Sequence, residues 1–173
     1  LNPLVLKPKM ENRDGEKIIK SRIGLSRECG FVEDYIFYDE HETFSKVVDY
    51  DCIIVDEVQF CTVAQVEMLA NIVNKLKVPV ICYGLKTDFL LKTFPASQRL
   101  WELTSPENRE KLRTVCWCGD GAECNTRLDK DGNVVRHGSQ IMLGGNESYT
   151  SLCMKHYYAG DIGPKMRAKF KKK

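Results

Sequence analysis

The chain has 173 residues, 43% hydrophobic and 29% charged, a balance that suits a packed globular protein and argues against disorder, collagen-like repeats and membrane insertion. Its longest apolar runs, such as residues 52–55 and 78–83, fall far short of the ~20 residues that span a bilayer. The net charge of +2 is uneven: six of the 26 basic residues lie in residues 164–173, which hold no acids, leaving 20 against 24 acidic residues elsewhere. A mildly acidic body with a basic end argues against nucleic acid as the main partner.

Residues 4–6 read as a short apolar strand ending at Lys7-Pro8. Because the chain opens at Leu1 rather than Met and runs almost at once into this strand, further residues are expected upstream. A polar stretch follows, Glu11-Asn12-Arg13-Asp14-Gly15, with turn chemistry at Asp-Gly. Residues 40–48 suit a short helix. Cys52-Ile53-Ile54-Val55 is then a continuous apolar run ending in Asp56-Glu57, the pattern of a strand buried on both faces in a parallel sheet.

Over residues 63–76 the apolar side chains Val63, Val66, Leu69, Ala70, Val73 and Leu76 mark one face of a helix, with Thr62 as its N-cap. Residues 78–83 form a second continuous strand, ended by Gly84. Strand, helix and strand within about thirty residues make a βαβ unit with a right-handed crossover. The fold class is therefore α/β, with an open parallel sheet.

From Leu112 onward the helical period disappears. Cys116-Trp117-Cys118-Gly119 introduces short β-like pieces, and Asp129-Lys130-Asp131-Gly132-Asn133 is a turn between two of them. Residues 141–143 lead into Gly144-Gly145, and residues 149–158 carry the last metal-type side chains. The expected organisation is an α/β domain over 1–110, a small metal-centred subdomain over 111–160 and a basic tail over 161–173.

Two constellations carry chemistry. The run Ile53-Ile54-Val55-Asp56-Glu57 has the form of a Walker B strand, and ligands of open α/β sheets bind at the carboxyl edge where its acids emerge. Asp56 there could hold Mg²⁺ through water, and Glu57 could take a proton from an attacking hydroxyl. Many strands also end in solvated acids with no further role. The phosphate-binding partner of such a strand, a glycine-rich loop ending Gly-Lys-Ser/Thr, does not occur in the sequence. Either the protein does not transfer phosphoryl groups, or that loop lies upstream of Leu1.

The second constellation is Cys116-x-Cys118, then 34 residues, then Cys153-x-x-His156. Three thiolates and one imidazole suit a closed, structural Zn²⁺ site, which would pin two β pieces together where the apolar core is thin. The first pair is tighter than the usual C-x₂-C, and Cys124 is an alternative ligand. Cys52 and Cys82 sit in apolar runs and read as small core side chains, while Cys29 and Cys61 have no evident role.

In order along the chain, these pieces resemble the thymidine kinase family of the cytosolic, zinc-containing type. The segments that carry the resemblance are Lys7-Pro8-Lys9-Met10-Glu11-Asn12-Arg13, Ser21-Arg22-Ile23-Gly24, Val55-Asp56-Glu57-Val58-Gln59-Phe60, Gly84-Leu85-Lys86-Thr87-Asp88-Phe89 and Gly144-Gly145-Asn146-Glu147-Ser148-Tyr149. The C-x-C and C-x-x-H pairs match a bacterial branch of the family. The similarity runs over about residues 4–158.

The resemblance implies a P-loop kinase domain followed by a zinc-bound subdomain with a lasso loop over the nucleoside. It implies transfer of the γ-phosphate of ATP to the 5′-hydroxyl of thymidine, with Mg²⁺, in pyrimidine salvage. Glu57 would be the general base, Asp56 part of the Mg²⁺ shell, and Asp56, Glu57, Val58 and Gln59 the border of the nucleotide. Glu11 would add a carboxylate near metal and sugar, and Arg13 would neutralise charge at the reacting phosphates.

Phe60, Phe89 and Tyr149 would pack around the thymine, although by residue type alone Phe60 and Phe89 are more often core. Lasso backbone groups over residues 140–145, with Ile141 and Gly144 among them, would recognise the base. Such a cage excludes purines by size but separates thymine from uracil poorly, since one methyl supplies only ~1–3 kcal/mol. Cys116, Cys118, Cys153 and His156 would hold the zinc. The resemblance further implies a cytoplasmic homotetramer with no membrane and no nucleic-acid partner.

Besides the absent phosphate loop, the sequence departs from the family pattern at two places. Glu11 stands where an Asp is usual, and Leu90-Leu91-Lys92 stands where Arg-Gly-Glu is usual after Asp88-Phe89. The competing reading is a zinc-stabilised module that binds nucleic acid through the basic tail without catalysis.

Overall fold

Short apolar strands and three amphipathic helices build the first core. A computed structural model describes residues 1–11, 17–21, 23–141 and 148–171, and the chain divides into two units, residues 1–86 with 94–108 and residues 87–93 with 109–173. The first unit contains β1 (Pro3–Lys7), β2 (Ile18–Lys20), β3 (Ser26–Glu28), β4 (Gly30–Phe31), α1 (Glu40–Val47), β5 (Cys52–Val55), α2 (Val63–Asn71), β6 (Val80–Cys82) and α3 (Pro95–Leu103). The second contains β7 (Cys124–Leu128), β8 (Ser148–Leu152), α4 (Met154–Ala159) and α5 (Pro164–Phe170).

Four strands form one all-parallel sheet in the order β4-β1-β5-β6. Leu4 lies opposite Ile53 and Leu6 opposite Val55, and these four are buried with Val32, Val47, Val66, Leu69 and Ile72. The strand β5 is an inner strand, but it fully buries only one face: Ile53 and Val55 are buried while Cys52 and Ile54 are half-buried, so the expected burial on both faces is incomplete. The second run is shorter than its sequence suggests. Residues 80–82 pair with β5, Val80 and Cys82 are half-buried, and Ile81 and Tyr83 are about half exposed; among the described residues β6 is the last strand of the sheet.

The helix after β5 begins where Thr62 predicts. The Thr62 hydroxyl accepts from the Gln65 N–H while the Gln65 side-chain Oε1 accepts from the Thr62 N–H, a reciprocal capping box. Its end departs from an ideal helix. Residues Ile72–Leu76 widen into a π turn that stops at Lys77, whose φ is +61°. Fully buried Ile72 holds that last turn on the core with Val66, Met68 and Leu69, whereas Val63 and Val73, which the sequence placed on the inner face, are exposed because the buried stripe is rotated from the expected one.

In the second unit β7 and β8 pair antiparallel, with Arg127 opposite Tyr149. The Asp129 carboxylate closes the turn after β7 by accepting from the N–H groups of Asp131 and Asn133 and from the Asn133 side chain. The core here is small: Cys116, Cys124, Leu128, Leu152, Cys153, Tyr157 and Ile162. The segment read from the sequence as a basic tail contains α5, whose Met166 and Phe170 pack against this core while its cations stay outward. Among the described residues no helix is long and apolar enough to cross a membrane.

The capping box gives a direct test of the first unit. Thr62→Ala should cost about 1 kcal/mol in urea unfolding, whereas Val63→Ala, at a half-exposed position next to it, should cost a few tenths at most. Equal losses would show that the cap does not secure the helix.

Candidate functional site

Because β1, β5 and β6 run parallel, their carboxyl ends emerge at one edge of the first unit. There the chain after β5 reverses sharply. Glu57 takes the left-handed conformation, φ +51° and ψ +40°, and leads into a 3₁₀ turn over Val58–Phe60. A non-glycine residue held so is costly by roughly 1–2 kcal/mol and needs local support. Three bonds supply it: the Glu57 N–H donates to Asp56 Oδ1 at 2.9 Å, the Val58 N–H to the Tyr83 carbonyl at 2.9 Å, and the Asp56 N–H to the Leu6 carbonyl at 2.9 Å.

The Glu57 side chain is itself held. Gln59, 3% exposed, donates through Nε2 to Glu57 Oε2 and accepts the Leu85 N–H on Oε1 at 3.0 Å. A Cβ at Gly84 would come within 2.5 Å of that Gln59 oxygen, so the glycine after β6 makes room for the clamp. The sequence pointed to Gln59 only as a border of the nucleotide; its grip on Glu57 is visible only once β5 and β6 lie side by side. Val58 is buried, Glu11 is buried near the end of β1, and Phe60 stands edge-on to Phe94 at 6.1 Å. Arg13 and Gly144 lie outside the described residues.

In the second unit Cys116, Cys118, Cys153 and His156 bring their ligand atoms within 4.8 Å of one another. The first pair is spaced tightly because Cys116 to Gly121 forms a knuckle: the Cys116 N–H donates to Asp120, the Gly119 N–H returns to Cys116, and Gly119 has φ +95°. Cys153 precedes α4 and His156 sits one turn into it, so a C-x-x-H spacing places both on one side. His156 Nδ1 lies 3.5 Å from Cys116 Sγ and 3.2 Å from Cys153 Sγ. Ligands at ~2.1–2.3 Å around a tetrahedral zinc stand roughly 3.5–3.8 Å apart, so donor set and spacing both fit that ion.

Burial opposes ionisation of Cys116, but the N–H groups of Cys118 and Cys153, together with His156, bring its thiol down to about 6. Cys124 is the alternative that the structure separates from the group, since its sulfur faces Met154 at 3.6 Å. The Trp117 ring covers His156 at 4.5 Å and is pinned by its Nε1–H to the Asp161 carbonyl.

Phe89 is 2% exposed and carried on a loop that Asp88 shapes, one carboxylate oxygen accepting from the N–H groups of Leu90 and Lys92. Leu91 has φ +63°, at the very position where the family pattern has Gly. Packing of the leucine against the second core offsets the strain of that conformation. Over Phe89 lies the Arg127 guanidinium, 3.8 Å from the ring centroid, which also donates to the half-exposed Tyr149 hydroxyl at 2.8 Å. Ile141 is half-buried. Arg127 carried no motif and was missed; a lone arginine in a strand pattern gives no signal until its partners are known.

A parallel sheet with an acid pair at its carboxyl edge, followed by a small β unit with a Cys₃His cluster, defines an α/β protein with a zinc-type subdomain. The comparisons give the family. The thymidine kinase family profile matches residues 1–157. The chain is 41% identical over 163 residues to the thymidine kinase of Pasteurella multocida and 40% identical over 158 residues to that of Haemophilus influenzae, in both cases over 91% of this chain and 81% of the relative. It is 37% identical over 165 residues to that of Legionella pneumophila, covering 94% of this chain and 78% of the relative. The chain belongs to the thymidine kinase family, and is therefore a nucleoside kinase.

The remaining cysteines make a contrast that labelling can read. Burial pushes the thiols of Cys61 and Cys82 up to about 12. At pH 8 their thiolate fraction is on the order of one in ten thousand, so an aromatic disulfide reagent should modify both slowly in the folded protein and rapidly in urea. Fast labelling of either in the folded state would contradict their burial.

Proposed function

We propose that the protein transfers the γ-phosphate of ATP to the 5′-hydroxyl of thymidine, giving thymidine 5′-monophosphate. Membership of the thymidine kinase family supports the substrate, and the observation that carries the chemistry is the Glu57 carboxylate, turned out from the carboxyl end of β5 and clamped by Gln59. Glu57 takes the proton of the 5′-hydroxyl as it attacks. The clamp keeps one rotamer of a flexible side chain, which lowers the entropy lost on reaching the reactive geometry.

Mg²⁺, when bound, would offset charge on the phosphates, and Asp56 is the residue that would hold it through water. Val58, Gln59 and Glu11 border the nucleotide in this reading, and Arg13 neutralises charge at the transferred group. Phe60, Phe89 and Tyr149 present apolar faces to the thymine, with Ile141 and Gly144 contributing backbone. Cys116, Cys118, Cys153 and His156 hold a structural Zn²⁺ that joins the knuckle before β7 to the start of α4. The alternative of a nucleic-acid-binding module draws no support from the family match. A cytoplasmic location and a homotetramer remain part of the proposal by resemblance.

The test is turnover of thymidine by the full-length protein, followed as thymidine 5′-monophosphate. Glu57→Gln keeps the shape and removes the base, so kcat should fall about 10²- to 10⁴-fold with thymidine affinity retained. Unchanged turnover would remove Glu57 from its role. Elemental analysis should find about one zinc per chain, lost on Cys153→Ser, and iron or no metal would overturn the ligand assignment.

A further inference from the structure

Arg127 is an arginine where a chain of this size rarely keeps one. It is 2% exposed, on the middle of β7, and one of the largest fully buried side chains in the protein. Burying a guanidinium costs several kcal/mol unless its donors are met, and a hydrophobic residue of similar volume would fill the space at less cost. What the charge is used for can be read from its partners. Nε donates to the Tyr149 hydroxyl at 2.8 Å, Nη1 to the Ser139 carbonyl at 3.2 Å and Nη2 to the Gln140 carbonyl at 3.4 Å. The flat face of the same group lies 3.8 Å from the centroid of the Phe89 ring and 5.7 Å from that of Tyr149.

One rigid plane thus touches an aromatic ring from a loop, a second aromatic from the neighbouring strand, and the backbone of residues 139–140. We propose that Arg127 is a positioning residue for the nucleobase: it touches no substrate, but its fork and its face together fix Phe89 and Tyr149 relative to each other. The inference rests on the reading that these two rings line the base. A lysine cannot do the same work, because an ammonium has no plane to stack and no fixed fork to share among three acceptors. The Tyr157 hydroxyl supports the arrangement from below by donating to the Phe89 carbonyl at 2.8 Å, so the loop is held by main chain and ring alike.

The consequence concerns ground-state recognition rather than chemistry, since neither ring gives or takes the transferred proton or phosphoryl group. Loss of the fork should loosen both rings, so KM for thymidine should rise with little change in kcat. The experiment compares Arg127→Lys, Tyr149→Phe and the double variant in the full-length protein, with Leu128→Ala as a buried neighbour whose side chain makes none of these bonds. Arg127→Lys should raise thymidine KM about 10- to 100-fold and leave kcat within about threefold. Tyr149→Phe, which removes one hydroxyl and folds without difficulty, should raise KM several-fold, and the double variant should fall well short of the product of the singles. Leu128→Ala should lower the melting temperature while keeping KM.

Wild-type KM in Tyr149→Phe, or a fully multiplicative double variant, would overturn the proposal even if Arg127→Lys proved unstable. A KM rise in Leu128→Ala matching its loss of stability would overturn it too, by reducing Arg127 to a core residue. Wild-type protein that does not turn over thymidine would overturn this proposal and the functional reading together, whereas normal wild-type turnover with unaffected variants would overturn this one alone.

Discussion

Parallel pairing is the constraint from which the first unit follows. Strands that run the same way must finish at the same edge, and each needs a crossover that returns the chain to its start. Burial of Ile53 and Val55 in the middle of the sheet fixes which residues come next at that edge, and those residues are Asp56 and Glu57. The neighbouring β6 then delivers Gly84 and Leu85 beside them, and it is Leu85 that holds the far end of Gln59. The left-handed turn at Glu57 persists because these neighbours over-determine it; the same residue on an isolated strand end would relax.

The second unit meets a different difficulty. Among the described residues its apolar cluster is small, Cys116, Cys124, Leu128, Leu152, Cys153, Tyr157 and Ile162 with Met166 and Phe170 against it, and a core of that size supplies limited burial. A four-ligand cross-link is the usual remedy, since metal binding free energy becomes folding free energy. The cluster lies where that help is needed, between the chain before β7 and the chain after β8. The buried Arg127 plays a comparable part in polar chemistry, tying loop, strand and backbone through one planar group.

Several elements were legible for simple physical reasons. The unbroken β-branched run announced β5, the period of 3–4 residues announced α2, and Thr62 with Gln65 announced its start, because these depend on neighbours a few positions away. The C-x-C and C-x-x-H pairs were legible because a group that could hold a metal needs residue type and spacing together. The extent of β6, the π turn after α2 and the helix inside the basic end were not. Whether Ile81 faces a neighbour or solvent, and whether Phe170 finds a core, depends on surfaces supplied by distant parts of the chain.

By itself the sequence determined the class of sheet, the acid pair, the metal-type ligand set and the family resemblance, since each is written in residue identity over short intervals. Only the tertiary structure decided that Gln59 clamps Glu57, that Cys124 stands apart from the Cys₃His group, and that Arg127 joins Phe89 to Tyr149. Those contacts link residues far apart in the chain, or turn a side chain through a backbone conformation such as that of Glu57. Neither a distance in space nor a positive φ leaves a periodic or compositional trace, so folding had to bring the partners together before their roles could be seen.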